Sequence, residues 1–209
     1  MDGVLFDTER LYQETWHQLA GERHISLGDS FLLAISGTNG DRMKQVVEKY
    51  YHVSDGFAIM EECMERIKKK LAVQVPVKAG VCEILEFFRE IGIRMAVASS
   101  SSTQQIEANL SKSGIRSYFS EIVSGEEVKH GKPSPDIFLA AAEKIGCRPE
   151  ECFVFEDSEN GVKAGHAAGC FTIMIPDLIQ PDEKIRSLCS KIYPDLLKAR
   201  DEIRKDGSL

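Results

Sequence analysis

The sequence predicts an α/β protein: a Rossmann-like parallel sheet wrapped by helices, with an all-helical segment inserted near its start. Three observations lead there. From residue 77 onward, short apolar runs alternate with stretches of helical periodicity, the pattern of parallel strands joined by right-handed crossovers. Residues 8–76 show only helix-type spacing of apolar side chains. The run Cys152–Phe155, four apolar or aromatic residues, reads as a strand buried on both faces and leads directly into two carboxylates, Glu156 and Asp157.

Taken in order, residues 1–7 (MDGVLFD) place an acid and a glycine before a short apolar run. A helix begins at Thr8, which can cap it, with Glu9 in the first turn and Tyr12, Trp16, Leu19 and Ala20 on one face. The apolar segment Phe31–Ile35 leads to a loop, Ser36–Gly40, that is expected to extend to Arg42. The next helix carries Met43, Val46, Val47, Tyr50 and Tyr51 on one face. Ser54 or Asp55 caps another, whose stripe is Phe57, Met60, Met64, Ile67 and Leu71. Such stripes pack helices against one another and do not mark a cofactor site. Lys68–Lys70 reads as a solvated face, and residues 73–78, with Pro76, read as a linker.

Val81–Ile91 is then a helix stopped by Gly92, and Ile93–Ala98 a strand running into Ser99–Ser102. Thr103–Ser113 is a helix closed by Gly114, and Glu121–Ser124 a short strand. Gly131–Pro135 feeds a helix through Phe138, Ala142 and Ile145. After the acidic strand a small helix stops at Gly169, Cys170–Ile175 forms another strand, and two mostly polar helices finish the chain. The expected division is a discontinuous core, 1–7 and 77–209, around a helical segment, 8–76.

Of the 209 residues, 43% are hydrophobic and 28% charged, as in a soluble globular protein. The net charge of -7 argues against nucleic acid or an anionic membrane as a partner. The cysteines at 63, 82, 147, 152, 170 and 189 form no CxxC pair and read as buried free thiols of a reducing cytoplasm. No apolar run has the length of a membrane span, and the first residues lack the pattern of a signal peptide. The five histidines show no ligand spacing.

Three groups carry chemistry. Ser99 follows one predicted strand, Lys132 stands in a loop before a helix, and Glu156 and Asp157 close another strand. Singly, each has an ordinary reading: a helix cap, a surface charge, a strand–turn–helix junction. In a parallel sheet, however, strand ends open onto one crevice, where such folds bind ligands. A hydroxyl with nearby amides, one cation and a magnesium-binding acid pair together suit a phosphate. A nucleophile is missing from that set.

The ordered motifs MDGVLFDTE, AVASS, GKPSPDIF and FEDSENG resemble those of the haloacid dehalogenase superfamily, and more narrowly its beta-phosphoglucomutase-like phosphatases with an inserted helical cap. The resemblance covers nearly the whole chain. It implies an aspartyl-phosphate mechanism, in which one aspartate attacks phosphorus and a second, two positions later, acts as general acid and base. Asp2 matches the second. The attacking residue would stand before Met1, at the end of an apolar strand, and the expectation is that the natural chain starts upstream. Without that strand the sheet should show a gap, with unpaired backbone groups on both neighbours. The resemblance further implies Lys132 as a catalytic charge shield and Asp2, Glu156 and Asp157 as Mg2+ ligands, Asp2 through its backbone carbonyl. It implies substrate contacts from Ser99, Ser100 and Lys132 in the core and from Thr8, Gly37 and Arg42 in the cap. The expected activity is magnesium-dependent hydrolysis of a small phosphate ester, a sugar phosphate or nucleotide. The alternatives are a phosphohexose mutase, disfavoured because Arg42 is the only basic residue in its cap loop, and a truncated or non-catalytic relative. The expected partner is a small phosphorylated metabolite, for a cytoplasmic monomer or weak homodimer.

Overall fold

The computed structural model describes residues 1–35, 38, 40–177 and 180–206. It divides into two compact units, Met1–Phe6 with Val77–Leu209, and Asp7–Pro76.

The second unit is helical: α1 (Thr8–Glu22), α2 (Asp29–Ile35), α3 (Gly40–Tyr51) and α4 (Gly56–Val73). Its core gathers Trp16, Leu19, Phe31, Val47, Tyr51 and Ile67, with Trp16, Phe31 and Tyr51 meeting edge to face at about 6 Å. The Tyr51 hydroxyl donates to the Trp16 carbonyl at 2.6 Å. Three expectations change here. Asp7, not Thr8, occupies the cap position of α1. Arg42 lies in α3, not in a loop, because that helix already starts at Gly40. The buried row of α4 is Ile59, Cys63 and Ile67, whereas Phe57 and Met64 are exposed. That helix is apolar on several sides, so spacing alone does not choose its inner face. Its phase follows from the Asp55 cap, which accepts from the Ala58 N–H at 3.2 Å, and from packing on α1 and α3.

Among its described residues the first unit carries five short strands: β1 (Ala96–Ser99), β2 (Glu121–Ser124), β3 (Phe153–Glu156), β4 (Phe171–Met174) and β5 (Lys191–Ile192). Its helices are α5 (Val81–Glu90), α6 (Thr103–Lys112), α7 (Asp136–Lys144), α8 (Glu159–Ala167), α9 (Glu183–Arg186) and α10 (Leu196–Asp206). All ladders are parallel, and they form two separate sheets, β1–β2 and β3–β4–β5.

Strand starts fall later than the apolar runs suggest. Gly92 adopts a left-handed φ of 75° and the Ile93 N–H bonds back to the Phe88 carbonyl at 2.9 Å, so the end of α5 takes Ile93 out of the strand. Cys152 is likewise bonded to Pro149, closing a 3-10 turn, and β3 begins at Phe153. Glu156 is therefore the last residue of the strand and not the first beyond it. Only Val154 and Glu156 of β3 are buried, with Phe153 and Phe155 half-buried, against the expectation of burial on both faces. Cys82 is exposed, and only Cys63 and Cys170 are fully buried, although all six thiols are free.

Candidate active site

Glu156 ends β3 and is 4% exposed. Burial alone would push its carboxyl upward, but the Lys132 ammonium, ion-paired to Oε1, and donors from Ser158 hold it below the ordinary carboxylate range. Its Oε2 accepts from the Asp157 N–H at 3.1 Å, the Ser158 N–H at 3.2 Å and the Ser158 hydroxyl at 3.0 Å. The Ser158 hydroxyl also caps α8, accepting from the Gly161 N–H at 3.1 Å. A Cβ on Gly161 would lie 1.9 Å from Glu156 Cδ, so only glycine lets α8 start against this carboxylate.

Asp157 behaves oppositely. Burial, and then the charge of Glu156, push it up to about 6. Two adjacent carboxylates divide in this way when the field around them stabilises one charge better than two. The Asp2–Gly3 turn packs directly on Asp157: a Cβ on Gly3, whose φ is 73°, would meet Asp157 Oδ2 at 2.1 Å. Asp2 itself is exposed.

Lys132 follows Gly131 and precedes a cis peptide bond to Pro133. Its side chain is 11% exposed and its Nζ stands 4.8 Å from the centroid of the Phe138 ring, on α7. Ser99 ends β1 and is buried, its hydroxyl accepting from the Ser101 N–H at 3.2 Å; Ser100 is exposed.

Contacts thus bring Lys132, Glu156, Asp157 and the Asp2–Gly3 turn into one cluster. Ser99 and Ser100 stand at the end of β1. Thr8 and Arg42 belong to the helical unit, and Gly37 lies outside the described residues. No group of three His, Cys, Asp or Glu side chains able to hold a metal occurs among the described residues. The acid pair with a backbone carbonyl from the Asp2 segment is an all-oxygen donor set of the kind magnesium takes, and Asp157 is raised by burial and by the charge of Glu156 despite the nearby N-terminal ammonium.

Two residues of this neighbourhood escaped the sequence reading. Lys78 donates to the Gly3 carbonyl at 3.0 Å and to Asp177 Oδ1 at 2.6 Å, bracing the turn on which Asp157 rests. The one available signal was that Asp177 follows a strand as Glu156 and Asp157 do.

Residues 1–175 match the family model described as haloacid dehalogenase-like hydrolase. A fructose-1-phosphate phosphatase of Escherichia coli is 32% identical over 81% of this chain and 89% of its own. A phosphorylated carbohydrates phosphatase of Thermotoga maritima is 31% identical over 81% and 79%. A Thermotoga maritima crystal structure, provisionally described as a beta-phosphoglucomutase, superposes with a TM-score of 0.81 at 25% identity, covering 98% of this chain and 96% of that one.

Proposed function

The chain belongs to the haloacid dehalogenase-like hydrolase family, and we propose that it serves as a magnesium-dependent phosphatase of small phosphorylated sugars. The observation that carries this reading is the buried Glu156, held charged by Lys132, beside an Asp157 that burial and the charge of Glu156 push up to about 6. The names of its phosphatase relatives point to sugar phosphates as the substrate class.

In the proposed site Asp157, Glu156 and the Asp2 backbone carbonyl would hold the cation, which would supply charge neutralisation for the phosphoryl group. Lys132 adds a second positive charge, and Ser99 with the amides beyond it orients the phosphoryl oxygens. Asp2, exposed beside Gly3, protonates the leaving oxygen and then activates water. The attacking carboxylate of the family stands two positions ahead of the acid–base aspartate, which here is ahead of Met1.

The test measures phosphate release from fructose 1-phosphate, hexitol phosphates and nucleotides, with and without Mg2+. It uses the 209-residue chain and a version extended by an apolar strand that ends in aspartate two positions before Asp2. Metal-dependent release by the extended chain, fastest on a sugar phosphate, is expected. Release by neither chain overturns the phosphatase reading, full turnover by the unextended chain overturns the role given to the preceding aspartate, and isomer formation on a hexose 1-phosphate makes the protein a mutase.

A further inference from the structure

Two thiols of the core unit meet across the turn that leads into β3. Cys147 follows α7 and Cys152 immediately precedes β3, with four residues between them. A 3-10 turn, Pro149–Glu151, folds the chain back on itself. The Glu151 N–H donates to the Arg148 carbonyl at 2.9 Å and the Cys152 N–H to the Pro149 carbonyl at 3.0 Å. Both cysteines are free and half-buried, and both line one apolar cavity of about 370 Å³. Their side chains stand within hydrogen-bonding reach of each other. The two sulfurs have different surroundings. Arg94, exposed just ahead of β1, donates from Nη2 to Cys147 Sγ at 3.2 Å and to the Gly146 carbonyl at 3.2 Å. The Cys152 thiol donates to the Arg148 carbonyl at 3.3 Å, and burial, then the charge of Cys147, push it up. Cys170 also lies near Cys152, but it is buried, and burial pushes its thiol up to about 11. Among the described residues the pair belongs to no cluster of three side chains able to hold a metal.

We propose that Cys147 and Cys152 are a redox-active pair, which a small hydroperoxide oxidises to an intrachain disulfide with Cys147, beside Arg94, as the attacking sulfur. The guanidinium gives that sulfur a charged donor, the kind of setting in which cysteines react. Cys147 attacks one peroxide oxygen. The O–O bond breaks, a sulfenic acid forms on Cys147, and the other oxygen leaves as water with the thiol proton. Cys152 then attacks the Cys147 sulfur. The S–O bond breaks, the disulfide forms, and the hydroxide leaves as a second water with the Cys152 proton. Two thiols give up two electrons in all, and one peroxide is reduced to two waters. The pair sits at the end of β3 opposite Glu156, so this chemistry uses none of the groups assigned to phosphate hydrolysis.

The test needs no turnover of a phosphate ester. The reduced 209-residue chain is treated with a small excess of hydrogen peroxide, its remaining thiols are blocked with N-ethylmaleimide, and the products are mapped by mass spectrometry. Trypsin leaves both cysteines on the peptide 145–163, because Arg148 precedes a proline. That peptide should lose two hydrogens and take up no label, and dithiothreitol should reverse both changes. Cys82, exposed and outside the pair, should stay labelled. Cys152→Ser should stop at a sulfenic acid on Cys147, which dimedone traps. Arg94→Gln should slow disulfide formation about tenfold, with an unchanged circular dichroism spectrum. The wild-type result stands even where a variant fails to fold. Label on both cysteines after peroxide overturns the proposal, as does a bridge from Cys152 to Cys170 or oxidation of Cys82 as fast as that of Cys147. An unchanged rate in Arg94→Gln overturns Cys147 as the sulfur that Arg94 activates.

Discussion

Replacing Lys132 by methionine tests how the acid pair is held. The Lys132 and Glu156 side chains are 11% and 5% exposed. Removing one partner of so buried a pair strands the other charge, at a cost of about 3–5 kcal/mol. Glu156 keeps its three donors from Asp157 and Ser158, which places the effect at the lower end, about 3 kcal/mol. Loss of the cation near Phe138 adds about 0.5–1 kcal/mol. In the wild type the folded pKa of Glu156 is depressed, so its contribution is present above the unfolded value and lost as pH falls. In Lys132→Met, burial loses its main opponent and the folded pKa rises instead. A carboxylate with a raised folded pKa destabilises above that pKa, so the deficit should be full at pH 7.5 and shrink toward pH 5.

The assay must report on the right unit. Trp16 is the only tryptophan and lies in the helical unit, so its fluorescence follows that unit. Exchange of the β3 and β4 amides in urea follows the core. The double variant Lys132→Met with Glu156→Gln should recover most of the loss, since a neutral amide keeps the Ser158 bonds without a stranded charge. A deficit below about 1 kcal/mol, or one that does not change with pH, would refute a buried, charge-dependent pair and leave Lys132 the weight of a surface ion pair.

Three more outcomes follow from the same geometry. Asp157→Asn should stabilise the metal-free core at pH 8 by about 2–3 kcal/mol, the displacement to about 6 at about 1.36 kcal/mol per tenfold, with the gain gone near pH 4 in EDTA-treated thermal melts. Gly161→Ala drives a methyl into Glu156 and should cost about 2–4 kcal/mol in core stability, whereas Gly21→Ala, with nothing within 4 Å, should be neutral or stabilising in the same denaturation series. Tyr51→Phe leaves the Trp16 carbonyl without its 2.6 Å donor and should lower the tryptophan-monitored stability of the helical unit by about 1–2 kcal/mol.

Much of this was legible in the sequence because periodicity changes abruptly along the chain. Helical spacing before residue 76 and strand–helix alternation after it reappear, among the described residues, as four helices in one unit and parallel ladders in the other. The strand Glu121–Ser124 was readable to the residue, its apolar pair Ile122 and Val123 standing between turn signals. Strand starts were not, because Ile93 and Cys152 look like strand residues but are held by backbone bonds to the preceding turns. β5 was invisible, a two-residue strand in a polar stretch whose only signal is its partner β4. The inner face of α4 could not be chosen by counting, since Phe57 and Ile59 are both apolar and only tertiary packing separates them. In the site, the Lys132–Glu156 attraction follows from charge, but Lys78 and Asp177 are 99 residues apart and meet only in the fold.

The charges around the site bear on the order of binding in the proposed reaction. Asp2, Glu156, Asp157 and Asp177 gather near the ends of β3 and β4, and Lys78 and Lys132 are the ammonium groups bonded among them. Lys132 is engaged with Glu156, and Lys78 with Asp177 and the Gly3 carbonyl. Lys132 and the N-terminal ammonium both act on the acid pair, yet burial and the charge of Glu156 still raise Asp157 to about 6. A divalent cation held by this pair would favour the ionised form of Asp157 and would leave Lys132 able to share a phosphoryl oxygen. On this reading cation binding would precede ester binding and would release a proton below about pH 6, because burial and the neighbouring Glu156 keep Asp157 protonated there.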